Sequence, residues 1–184
     1  MHSVSASAQR APKAPEADTD KLSPLGEARI GSILDDTRVV TEHLPSQETT
    51  NLFKRITNYF HLQGYRTPET LTIIDSRAPN AFVRRSREVV LTTTLVKQVT
   101  DPSEMAFVIA HEAAHVALGH HVQRGISAEV AADTLALNIV TALGYNPCSG
   151  RSVLERLGSP AQLTLVSLTP RLHSLHDQTS SLCG

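Results

Sequence analysis

The chain has 184 residues, 40% of them hydrophobic and 19% charged, with a formal net charge of -1. That length and composition suit one globular domain with a real core, plus a tail. The near-zero charge excludes a global pull toward nucleic acid or anionic membrane, and no apolar run approaches the roughly 20 residues of a membrane span.

Residues 1–25 are rich in Ala, Ser, Pro and Lys, lack apolar periodicity, and read as a disordered leader or linker. Nothing near Met1 has the basic start and apolar run of a secretory signal, although Ser5-Ala6-Ser7-Ala8-Gln9 is similar to the small-residue end of a cleavage site. Residues 26–45 are an N-terminal extension of unassigned structure, anchored only by Ile30, Ile33, Leu34, Val39 and Val40. From 46 to 184 the pattern is that of a folded domain. After Ser46, Leu52, Phe53, Ile56 and Phe60 recur at helical spacing, and Gly64 supplies a stop. Leu71–Asp75, bounded by Pro68 and Pro79, and Val89–Thr92 predict two strands, with Arg84-Arg85-Ser86-Arg87 as an exposed connection between them.

Asp101-Pro102-Ser103-Glu104 predicts a helix start, with Asp as N-cap, Pro in first position and Glu three after the cap. That helix runs through His115. Another begins near Ser127 and stops at Gly144-Tyr145-Asn146-Pro147. A short helix around Val153–Leu157 precedes a polar C-terminus. The mixture of helices and strands gives an α+β fold class, a short antiparallel or mixed sheet packed on two site-bearing helices. Cys148 and Cys183 are compatible with one disulfide, which would pin the C-terminal tail, or with two free thiols; the count leaves the compartment open.

The stretch FVIAHEAAHVALGHH, residues 107–121, gathers four of the nine histidines beside Glu112. Positions four apart lie on one helix face, so His111 and His115 can hold one zinc per chain through imidazole nitrogen. Glu112 is one position round from the first histidine, where it reaches a water without being a ligand, the HExxH arrangement with Glu as general base. A third ligand is needed. His121 would serve in a metzincin, but position 118 is Leu where that motif requires Gly, and Met1 and Met105 both lie upstream of any Met-turn. Glu129 is the other candidate, on the next helix, with Asp133 one turn on to take the free N–H of a ligating histidine. Both acids sit among Ala131, Ala132, Leu135 and Ala136, a segment too apolar for a solvated face. His120 and His121 are left outside the site, as histidines favoured by the helix C-terminus.

At this point the chain resembles the gluzincin zinc metallopeptidases of the HtpX, Oma and CAAX-prenyl-protease type. The resemblance rests on Ile73-Ile74-Asp75, Asn80-Ala81-Phe82, Val89–Leu95, HEAAHVALGHH, the Glu129–Asp133 pair and Gly144-Tyr145-Asn146-Pro147, in family order over about residues 46–160. It implies a small zincin-like domain in which His111, His115 and Glu129 bind zinc, Glu112 is the base and Asp133 supports the ligands. It also implies metalloendopeptidase activity on peptide or unfolded-protein substrates, with protein quality control as one setting. The family's Gly-Gly hairpin is replaced by Ser86-Arg87, and its C-terminal His-Pro and Arg motif is blurred around Thr169-Pro170, His173 and His176. The oxyanion donor is assigned to His173 or His176, against a reading of each as an exposed tail histidine. Substrate is expected to lie along the edge strand near Val89–Thr92. No integral membrane segment is expected, peripheral association is left open, and export, for instance to a periplasm, is favoured over the cytoplasm by resemblance alone. The alternative functions are a noncatalytic zinc-binding or interaction module on the same fold, and a hydrolase of something other than peptide.

Overall fold

The computed structural model describes residues 41–84, 87–120, 125–157 and 165–183. The expectations for the 1–25 leader, for most of 26–45 and for Arg85, Ser86 and His121 lie outside those residues. Helix α1 (Gln47–Leu62) starts where Ser46 Oγ accepts from the Thr49 N–H, and Gly64, at φ +81°, turns the chain out of it. Its Phe53, Ile56 and Phe60 are buried at the expected spacing.

Four strands follow or flank it: β1 (Glu42–His43), β2 (Thr70–Ile74), β3 (Ala81–Arg84) and β4 (Glu88–Thr92), in sheet order β1-β2-β4-β3. β2 and β4 run parallel, Ile73 opposite Leu91, while β1–β2 and β3–β4 are antiparallel. Two expectations are corrected here. Arg84 belongs to a strand, where it reaches both Glu88 and Glu42 across the ladder, rather than to an exposed connection. β4 is an interior strand and not an edge; among the described residues the edge on that side is β3. At the hairpin, Arg87 occupies φ +60°, a left-handed conformation that favours glycine and costs a side-chain-bearing residue about 1–2 kcal/mol. Glu69 compensates: its carboxylate pairs with the Arg87 guanidinium and its N–H donates to the Arg87 carbonyl.

Thr92 ends β4 and caps α2 (Thr93–Gln98), a short helix absent from the sequence reading. Asp101 then caps α3 (Pro102–Ala117), accepting from the N–H groups of Ser103 and Glu104 as its sequence predicts. Every residue of α3 from Glu104 to Ala114 is buried. A helix apolar all round must be enclosed on all sides, and α1, α4, α5 and β3 all pack against it. α4 (Ile126–Ala142) crosses it closely and stops at Gly144, φ +81°.

α5 (Ser149–Leu157) is longer than the short helix expected around Val153–Leu157. Buried Glu104 of α3 ties it down, accepting from Ser152 Oγ and pairing with Arg156. Gly150 packs directly on the Phe107 ring, which an added Cβ would meet at 2.5 Å. The C-terminal region, expected only to be polar, holds α6 (Leu165–Thr179), whose Leu168, Arg171, Leu175 and Thr179 face inward. Cys148 and Cys183 are bonded, fastening the end of α6 to the start of α5.

Candidate metal centre

α3 and α4 bring four of the sequence-nominated residues together. The Nε2 atoms of His111 and His115 are 3.0 Å apart, and Glu129 on α4 sets Oε2 3.5 Å from the first and Oε1 3.6 Å from the second. One donor atom from each of the three lies within 4.8 Å of the others. Two imidazole nitrogens and one carboxylate oxygen, with no fourth protein ligand among the described residues, are the donor chemistry of an open zinc site, so these residues fit the ion that the sequence implies. Asp133, fully buried, places Oδ1 2.8 Å from His111 Nδ1, an ion-pair approach that is not aligned as a hydrogen bond.

Glu112 is buried beside this group but is not one of its three donors. Desolvation pushes its carboxyl up to about 7, against the pull of positive charge at His111. Burial alone would lower the pKa of His111, yet Asp133 and Glu129 overcome it and hold the ring well above its usual value. His115 goes the other way: burial and the charge on His111 keep it neutral at ordinary pH. Glu129 is held below the usual carboxylate range because His111 and Arg171 outweigh its burial, and its place in the first turn of α4 adds the favourable helix dipole.

Among the described residues, two outside the sequence-nominated set also adjoin the centre. Arg171, 5% exposed, donates from Nε to Asp133 Oδ2 at 2.7 Å and from Nη2 to Asp133 Oδ1 at 2.8 Å, and approaches Glu129 Oε2 at 3.1 Å. The signal for it was an inward stripe, Leu168, Arg171, Leu175, running through a segment whose Pro170 reads as a helix breaker. His120 is the other, its Nδ1 3.2 Å from His115 Nδ1. The structure does not bring His173 or His176 to the group. Position 173 is two residues from the buried Arg171 and so projects from another face of α6: His173 is exposed and pairs with Asp177, and His176 accepts from Arg151. Both line a shallow groove between α5 and α6.

A helix bearing His-Glu-x-x-His, crossed by one bearing Glu-x-x-x-Asp above a small mixed sheet, is the architecture of a metallopeptidase. A model of peptidase family M48 matches residues 46–174, and the chain belongs to that family of zinc-dependent metallopeptidases. No curated protein matches the chain. Among the described residues, no helix is long and apolar enough to cross a membrane.

Proposed function

We propose that the protein is a zinc endopeptidase of the gluzincin type, with one zinc held by His111, His115 and Glu129 and with Glu112 as general base. One juxtaposition carries this reading: three donor atoms converging within 4.8 Å of one another next to a buried carboxylate that is not among them. A purely structural zinc site would close its fourth position with protein and would need no such base.

Zinc bound there would supply Lewis-acid activation of a water and of the scissile carbonyl. Glu112 takes a proton from the attacking water as its oxygen bonds to the carbonyl carbon, and delivers that proton to the amide nitrogen as the C–N bond breaks. Arg171 keeps Glu129 and Asp133 charged and in place. The substrate backbone pairs along β3, which ends the sheet among the described residues and packs on α3. The same reading places the protein in an oxidising compartment, supported by the Cys148–Cys183 bond; two free thiols in protein taken from its native compartment would remove that part.

Incubation with a mixed peptide library, with and without chelator, tests the proposal. Cleavage lost to chelator and restored by one equivalent of zinc is the expected result. Absence of cleavage by the zinc-loaded protein, or cleavage indifferent to chelator, would sink it.

A further inference from the structure

We infer that His120 is a positioning residue for His115, accepting the Nδ1–H hydrogen bond that leaves Nε2 of His115 free to bind a metal. The inference rests on the zinc reading proposed above. The two Nδ1 atoms face each other at 3.2 Å, with ring centroids 5.3 Å apart and planes at 62°. Two lone pairs, or two N–H groups, would repel at that distance, so one proton is shared between them. The opposite nitrogen of His115 points at His111 Nε2, 3.0 Å away, and Glu129 Oε1, 3.6 Å away. A metal-facing nitrogen must be bare. The shared proton therefore sits on His115 Nδ1, and His120 accepts it with its own proton on Nε2.

The backbone builds this contact deliberately. α3 ends in a Schellman motif: Gly119 takes φ +70°, its N–H donates to the Val116 carbonyl at 3.3 Å, and the His120 N–H donates to the His115 carbonyl at 2.9 Å. That motif brings the side chain two residues past the cap against the one three positions before it, ordinarily as an apolar pair. Here the pair is two imidazoles. The glycine that falls one residue late for a metzincin is the one that seats His120 on His115. His120 thus stands at the outer nitrogen of His115 as Asp133 stands at that of His111, with a neutral ring in place of a carboxylate.

The test compares His120→Ala with His120→Asn, whose side-chain oxygen can stand where Nδ1 stands. Zinc dissociation constants come from competition with a chromophoric chelator, and the tautomer of His115 from imidazole 15N shifts of the zinc-loaded protein. His120→Ala should weaken zinc binding by about 10- to 100-fold, His120→Asn should restore most of the loss, and the thermal transition of the zinc-free protein should be unchanged by either. Wild-type affinity in His120→Ala, equal weakening in both variants, or a His115 proton on Nε2 in the wild-type protein would each overturn the inference. His115→Ala separates the two levels. If it abolishes zinc binding while His120→Ala does nothing, only the role of His120 falls; if it leaves zinc binding intact, the proposed function falls with it.

Discussion

Helices α3 and α6 serve the same centre in opposite ways. α3 is buried along its whole middle and presents the groups that would act, His111, Glu112 and His115. α6 presents a stripe to the interior, and from it Arg171 touches Asp133 and Glu129 rather than anything that would react. The difference teaches that a charged centre inside a small domain needs two kinds of support: an apolar helix to exclude water, and a buried counter-charge to make the acids tolerable.

Variants on the two sides should therefore fail differently. Glu112→Gln, on α3, should lower turnover by about 10²- to 10⁴-fold or more with zinc content and thermal transition intact; cleavage at near wild-type rate would mean the base lies elsewhere. Glu129→Ala should lose zinc on metal analysis whereas His121→Ala should not, and the reverse ranking would rescue a third histidine ligand. Arg171→Met should act through stability instead. Removing the bidentate partner of buried Asp133, which then keeps only His111 beside it, should cost up to about 3–5 kcal/mol in a denaturant titration of the metal-free protein.

Arg171 also predicts a pH dependence. Burial raises the Asp133 pKa, but hydrogen bonds from Arg171 and the charge on His111 outweigh it and bring it to about 2. A depressed native pKa contributes stability that is complete above the unfolded value of about 3.9 and is lost as pH falls toward 2. The metal-free protein should lose stability across that window, and Arg171→Met should move the loss to higher pH; identical acid profiles would show that the pair is not what protects Asp133.

Smaller effects are expected farther from the centre. Reducing Cys148–Cys183, which closes a loop with a sequence separation of 35, should release roughly 3.5–4 kcal/mol of constraint on the unfolded chain in the entropy treatment, less whatever the unfolded ensemble already loses to residual order. An unchanged thermal transition on reduction would mean that α6 holds its place without the tether. His173→Ala and His176→Ala should change kcat/KM by less than about twofold, as exposed substitutions usually do; a tenfold loss in either would bring the outer face of α6 into the chemistry.

How much of this was legible in sequence follows the same division. α3 and α4 carry local signals that agree with their burial: an Asp-Pro-x-Glu start, helical periodicity and a Gly-Pro stop. The meeting of His111, His115 and Glu129 was accordingly within reach of the sequence. β3 was not, because Arg84 looks like loop when its partners, Glu42 and Glu88, are known only from the sheet. α2 has six residues, too few for periodicity to emerge. α6 contains Pro170 and many polar residues, and only tertiary packing reveals that its arginine, Arg171, points inward. Nor could spacing alone show that Gly119 folds His120 back, since the same Gly-His pair in another turn would point to solvent.

Gly150 sets a limit of another sort. Within a helix, glycine is ordinarily the residue a protein engineer replaces first, since alanine there is favoured by about 1 kcal/mol. At this position the new methyl would overlap Phe107, whose ring is fully enclosed and stands 6.3 Å, centroid to centroid, from that of His111. The crossing of α5 over α3 is thus a place where a change intended to stiffen a helix would be read out as a displaced ligand ring, so a screen for thermostable variants and a screen for active ones should disagree there.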